Sequence, residues 1–293
     1  MCTTWPDLSR PVCRWGMMSV IIAVGRERLM PEPEIDTSVP HSARIWDYWL
    51  GGKDNYPVDR EAGDAVLRVL PVIADSAKQD RAFLGRAVRF LTSQGIRQFL
   101  DLGTGLPTVD NTHQVAQREA PESRIVYVDN DPLVLAHARA LLTSRPEGAC
   151  DYIQADVRDT KTVLAEAAAT LDFGRPVALM LLGVLNHILD DGEARRLVED
   201  LLRALAPGSH LVISHTCDAT TGELDGEAMR QAVREVMDRG GTPIRARSPE
   251  EIETLFAGTR LLEPGVVSCS RWRPDPSPWR EPEVPHFCGV AVL

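Results

Sequence analysis

From about residue 97 onward the chain alternates short apolar runs with amphipathic stretches. Arg97–Leu102, Arg124–Asp129, Asp151–Asp156, Val177–Leu182 and His210–Ser214 each read as a strand, and their interiors are nearly continuous in apolar residues. A strand of that kind belongs to a sheet covered on both faces, because a half-exposed strand would alternate apolar with polar. The segments between follow the helical period. Leu197, Val198, Leu201, Leu202 and Leu205 make one stripe, and Pro207-Gly208 stops it. Leu224, Ala228, Met229, Ala232, Val233 and Val236 make another. Ser248-Pro249-Glu250-Glu251 is a capping box with proline at the first helical position. The tail Phe287–Leu293 reads as a last strand, paired with the Leu261-Leu262 region. Strands alternating with helices in this way predict an α/β fold, a doubly wound and mostly parallel sheet.

Three regions are expected. Residues 1–35 carry scattered prolines and no periodicity and are read as a disordered leader. An over-extended gene start, with Met30 as the true first residue, is the second reading of that segment. Residues 36–95 form a helical cap, in which Phe83, Leu84, Ala87, Val88 and Leu91 make a stripe. Its segment Ser42–Tyr56, rich in aromatic and charged groups together, reads as a helix running into a glycine turn and lying as a lid on the sheet's carboxyl edge. Residues 96–293 hold the sheet.

Composition narrows the function. The net charge of −10 argues against a general grip on nucleic acid, which needs a concentrated basic face. No apolar run reaches the roughly 20 residues that span a bilayer, and Met17–Val24 is too short and lacks the cleavage pattern of a signal peptide. Cys2, Cys13, Cys150, Cys217, Cys269 and Cys288 contain no CxxC pair, so reduced thiols in a cytoplasmic setting are the simplest reading. No metal-ligand cluster is evident.

The strongest motif is Asp101-Leu102-Gly103-Thr104-Gly105-Leu106-Pro107-Thr108, directly after a strand. Glycines there let a ligand approach the backbone, and the following helix presents unpaired N–H groups. Asp129, ending the next strand before Asn130-Asp131-Pro132, can accept both hydroxyls of a ribose. The competing role, helix N-cap, suits Asp131 better. Asp156 and Val157, after the third strand, can accept an adenine amine and cover its ring, although a turn aspartate is an equal reading taken alone. A dinucleotide site would want a small residue where Thr108 stands, after Pro107, and Gly51-Gly52-Lys53-Asp54 lacks the spacing of a P-loop. S-adenosylmethionine (SAM) carries no phosphate and needs neither device.

Ser42–Asn55, Phe99–Thr108 and Val126–Pro132 resemble the bacterial SAM-dependent methyltransferase family formerly listed as DUF574, over about residues 36–293. The resemblance implies the Rossmann-like class I methyltransferase fold, with a seven-stranded sheet whose last strand is antiparallel and helices on both faces. It implies SAM as cofactor and a methyl acceptor, here taken as a small molecule. Asp101, Gly103 and Gly105 would frame the methionine part, Asp129 the ribose, Asp156 and Val157 the adenine, with Thr104 and Asn130 also expected among the cofactor-binding residues. Gly183, Val184 and Leu185 would line the methyl-bearing side. Arg44, Tyr48, Gly52 and Lys53 are expected to close over the site.

Methyl transfer needs alignment first, and a general base when the acceptor is a hydroxyl or an ammonium. His187 and His215, both expected just past strand ends, are the candidate bases, with a structural role equally open for each. Asn186 is expected to orient an acceptor through its carbonyl. Trp46 and Trp49, three apart on a helix, form either an aromatic wall or core packing. Two other functions share much of this pattern: a non-catalytic SAM sensor, and a nicotinamide-dependent reductase.

Overall fold

The computed structural model describes residues 36–141, 143–220 and 224–293; the leader expected over 1–35 lies outside them. Three helices come first, α1 (Ser42–Trp49), α2 (Pro57–Val69) and α3 (Ile73–Ser93). Strands and helices then alternate: β1 (Gln98–Leu102), α4 (Thr112–Glu119), β2 (Arg124–Asp129), α5 (Pro132–Leu141), β3 (Ala149–Gln154), α6 (Thr160–Ala167) and β4 (Ala178–Leu182). A one-turn 3-10 helix, Val184–His187, follows β4. The chain continues through α7 (Asp191–Leu202), β5 (His210–Thr216), α8 (Gly226–Asp238), α9 (Pro249–Thr254), β6 (Arg260–Leu261), β7 (Val267–Ser268), a 3-10 turn at Cys269–Arg271 and β8 (His286–Val292).

The sheet runs β3-β2-β1-β4-β5-β8-β6, with β7 also on β8. β1 to β5 are parallel, and β8 is antiparallel to β5. The winding reverses between β1 and β4, and the crevice beyond the carboxyl ends of those strands is where such sheets bind ligands. The sheet has eight strands where seven were expected. The edge facing β8 is split in two: β6 pairs with its end and β7 with its beginning. Between them Pro264 has no N–H to donate, and the chain turns through Gly265 at φ 87°.

Alternate strand residues feed two apolar layers. Leu100, Val126, Leu179 and Leu211 pack with Leu197, Val198 and Leu201 of α7. Phe99, Ile125, Met180 and Val212 pack on the other face with Phe83, Ala87, Val88 and Leu91 of α3. Each of these side chains contributes roughly 1.5–3 kcal/mol by leaving water. Of the N-terminal helices, α3 is thus a layer of the core. Trp272 is buried between Phe83 and Phe90, ring centroids 5.3 and 5.9 Å away. α2 packs on α8 through Val66, Leu70, Met229 and Ala232. α1 lies at the carboxyl edge.

Two strand boundaries differ from expectation, with consequences for the site. β3 starts at Ala149 and ends at Gln154, which leaves Ala155 and Asp156 in the loop. β5 extends through Thr216, because β8 pairs it along its whole length, His215 opposite Phe287 and Thr216 opposite His286. His215 is therefore a buried strand residue and does not follow the strand.

Candidate functional site

The turn after β1 is built by its glycines. Gly103 and Gly105 stand at φ 71° and 65°, a region unfavourable to other residues. A Cβ on Gly103 would lie 2.4 Å from the Val184 side chain. The Gly103 N–H donates to Val128 O of the neighbouring strand (2.7 Å), and Thr104 Oγ1 donates to Asp101 O (3.1 Å). Asp129, at the end of β2, fixes the turn from the other side. Its Oδ2 accepts the Gly105 N–H at 2.8 Å and its Oδ1 the Asp131 N–H at 2.9 Å. Each oxygen keeps a further acceptor site. Asp131 caps α5 by accepting the Leu133 N–H (2.8 Å).

Two of these carboxylates are held out of water. Burial pushes Asp101 up to about 6, opposed by the 2.6 Å hydrogen bond that Thr112 Oγ1 of α4 donates to its Oδ2. Burial also raises Asp129, against the two backbone donors. Asp156 is exposed. Its Oδ1 accepts the Arg158 N–H at 2.9 Å, and the Arg158 guanidinium lies 3.3 Å from Oδ2. Val157 beside it is buried.

On the opposite lip the chain leaves β4 through Gly183, at φ 71°, into the 3-10 turn. His187 Nδ1 lies 3.0 Å from Pro243 O. A carbonyl only accepts, so Nδ1 carries the proton and Nε2 offers a lone pair. Burial lowers the basicity of this ring, which keeps it neutral at pH 7. Asn186 Oδ1 accepts the Thr216 N–H at 3.0 Å. That bond turns the amide oxygen toward the strand and occupies one of its two acceptor sites, while the NH2 group donates to no described residue.

These elements enclose one cavity of about 410 Å³. Asp101, Gly103, Thr104, Gly105, Asp129, Asn130, Asp156, Val157, Gly183, Val184, Asn186 and His187 all line it. Leu185 is buried and does not. His215 does not line it either. Its Nδ1 lies 2.7 Å from Thr216 O and its Nε2 2.6 Å from Arg247 Nη1, so the neutral ring bridges the Thr216 carbonyl and the Arg247 side chain. Burial pushes it down to about 3.

The four residues expected to close over the site lie away from the cavity wall. Arg44 is buried, its Nε 2.9 Å from Asp59 Oδ2, and its Nη2 donates to Val39 O; it ties α1 to α2. The Tyr48 hydroxyl donates to Asp64 (2.7 Å). Gly52 packs on the Asp47 carboxylate, and Lys53 is exposed. α1 reaches the cavity through Ser42, Ala43, Trp46, Asp47 and Leu50 instead. Trp46 and Trp49 divide the two roles weighed for them: Trp46 lines the cavity, while Trp49 packs against the α2–α8 layer. The sequence reading missed His41, Asp80, Arg81, Thr112 and Thr242-Pro243, which also line it. Asp80 had a signal, a carboxylate set on the apolar stripe of α3. Arg81 makes no hydrogen bond or ion pair with any described residue.

A parallel sheet with an antiparallel strand beside β5, a glycine turn after β1 and a carboxylate ending β2 make up the class I methyltransferase fold. The family model for S-adenosyl methyltransferases matches residues 29–293, and the chain belongs to that family. SAM is therefore its cofactor, and the nicotinamide reading falls away. A DUF574 family protein from Streptomyces avermitilis is 43% identical, with 88% of this chain and 99% of that one covered and a TM-score of 0.82. A proposed methyltransferase from Thermobifida fusca is 41% identical over 90% and 98%, with a TM-score of 0.79. No curated protein matches.

Proposed function

We propose that the chain transfers the sulfonium methyl of SAM to a small-molecule acceptor bound over the carboxyl ends of β4 and β5. The observation that carries this reading is the convergence of the glycine turn and the acidic strand ends Asp101 and Asp129, with Asp156 just past β3, on one cavity. Asp129 takes the ribose hydroxyls, Asn130 flanks it, and Asp156 takes the adenine amine over the apolar cover of Val157. Asp101 and the Gly103–Gly105 backbone frame the methionine end, and the Arg81 guanidinium takes its carboxylate. SAM supplies an electrophilic methyl whose leaving group departs as a neutral thioether. The protein's own task is alignment. Gly183 and Val184 border the methyl-bearing side, Asn186 orients the acceptor with its NH2 donors, and His187 Nε2 accepts a proton where the acceptor must lose one.

The proposed setting is the cytoplasm, in keeping with the free thiols of Cys150, Cys217, Cys269 and Cys288. Among the described residues no helix is long and apolar enough to cross a membrane. The acidic net charge favours small molecules over nucleic acid as partners.

Titration calorimetry with SAM tests the binding half. Asp129→Ala is expected to weaken SAM by ~1–3 kcal/mol, the cost of deleting a buried acceptor, and an unchanged affinity would remove Asp129 from the site. A sensor would bind SAM equally well, so the catalytic half requires turnover of SAM to its demethylated product, S-adenosylhomocysteine (SAH), in the presence of an acceptor. His187→Gln should lower kcat by about 10²-fold or more if His187 is the base, with SAM affinity preserved.

A further inference from the structure

Asp80 breaks the apolar stripe of α3, where Ala77, Phe83, Leu84 and Ala87 pack against the rest of the molecule. It is 8% exposed, and the opening is to the cavity, whose wall it shares with Trp46. The protein gives this carboxylate little. Oδ1 has the Cys269 thiol at 4.0 Å and His286 Nε2 at 3.6 Å, contacts long for hydrogen bonds. Oδ2 accepts from no described residue. His286 does not cancel the charge, because burial lowers its basicity and leaves it neutral at pH 7. A desolvated carboxylate without donors is costly, and such a group calls for an explanation.

Trp46 supplies the second half. Its ring packs on His286 with centroids 5.4 Å apart, which brings indole and carboxylate to the same histidine. An indole and a mostly buried carboxylate on the wall of one cavity are the groups that recognise an organic cation. Most of the other charged lining groups have the same sign; the exceptions are Arg158 and Arg81, the latter assigned above to the carboxylate of SAM. Asp47, Asp101, Asp129 and Asp156 face the cavity, and the charge of Arg158 is engaged by Asp156 and Glu193. The position also fits an acceptor. His286 pairs with Thr216 at the carboxyl end of β5, and β5 is separated by β4 and β1 from the β2 end that carries Asp129.

We propose that the methyl acceptor carries a protonated amine, and that Asp80 and Trp46 form the subsite that holds its ammonium. The proposal rests on the methyltransferase reading above and adds the substrate class: a small amine with an apolar body. The rival occupant of Asp80 is the α-ammonium of SAM itself, so the test separates the two.

Binding is measured by calorimetry on the full chain, first to SAM and SAH alone. Phenethylamine and tryptamine are then titrated into the SAH-saturated protein, with 2-phenylethanol and 3-phenylpropionate as neutral and anionic counterparts. The amines are expected to bind and the counterparts to bind at least about 10-fold more weakly. Asp80→Asn, which keeps the shape and removes the charge, should weaken the amines about 10-fold or more and change SAH affinity by less than about twofold. Trp46→Leu, a second variant on α1 outside the apolar stripe of α3, should weaken the amines and spare SAH. The subsite is overturned if SAH binds and neither amine does, if the alcohol or the acid binds as well as the amines, or if neither variant weakens amine binding. It is also overturned if Asp80→Asn lowers the affinity for SAM and SAH alone, which would assign Asp80 to the cofactor. Failure of SAM and SAH to bind the wild-type chain at all would instead sink the methyltransferase reading, and this one with it.

Discussion

Asp101 shows what the site costs the fold. A carboxyl that titrates near 4 in the unfolded chain and about 6 in the folded one binds its proton more tightly when folded. Its contribution to stability is therefore complete below pH 4 and is lost as pH rises through 6. The difference between those two values corresponds to ~3 kcal/mol of destabilisation at pH 7. Asp101→Asn should recover part of that, since the amide oxygen can still accept the Thr112 hydroxyl. The variant is expected to melt at higher temperature than wild type at pH 7 and to match it at pH 4. SAM is a cation at its sulfonium and ammonium, and binding beside Asp101 favours the ionised form. Wild-type SAM affinity should consequently rise between pH 5 and pH 7, with a proton released on binding. Asp101→Asn should bind SAM more weakly and lose that slope. Calorimetry in two buffers of different ionisation enthalpy reads the proton directly, and no release would detach Asp101 from the methionine end.

At the scale of elements, the sheet was readable because a fully covered parallel strand is written locally, as a run of apolar residues closed by a glycine or an acid. The cofactor-side candidates Asp101, Gly103, Asp129 and Val157 sit where those runs end, and all of them reach the cavity. What escaped was set by partners far along the chain. The end of β5 depends on β8, some seventy residues later, so His215 looked like an edge residue. Arg44 looked free because its partner Asp59 lies on the next helix. Arg247 is the clearest case. Buried in the 242–248 segment, it donates to Leu185 O (3.0 Å) and Ile188 O (2.7 Å) on either side of Asn186 and His187. It also meets Asp191 at 2.9 Å and His215. With the Arg245 N–H, which donates to Asn186 O (2.8 Å), this side chain anchors the turn that carries the proposed acceptor-side residues Asn186 and His187. Arg247→Met keeps the apolar stem and orphans those carbonyls, so it should cost ~2–4 kcal/mol in urea unfolding. Because β2 and β3 are untouched, kcat should fall much more than SAM affinity. Equal losses in both would mean that the clamp supports the whole crevice.

For the molecule as a whole, burial drives titrations of opposite sign. His215 titrates near 6.5 when unfolded and about 3 when folded, so the unfolded chain binds the extra proton anywhere between those values. Stability from this group is complete above pH 6.5 and falls as pH drops, by ~2 kcal/mol at pH 5 and by more below. His113, His187, His210 and His286 are lowered by burial too and act in the same direction. Asp101 acts the other way, gaining stability as pH falls from 6 to 4. The raw pH profile of the protein is thus a sum of partly cancelling slopes and does not isolate any of them. The difference between wild type and His215→Gln does, because Asp101 and the other histidines contribute equally to both. His215→Gln will be the less stable protein at pH 7.5, having lost a buried bridge between Thr216 O and Arg247. Its disadvantage should shrink by ~2 kcal/mol between pH 7.5 and pH 5, as the wild type alone loses the stability of a neutral buried imidazole. Urea melts at a series of pH values give this difference directly. Parallel curves would show that the imidazole is reached by water or by a proton in the folded state. The packing of β5 against β8 around it would then be looser than the continuous pairing from His210 to Thr216 implies.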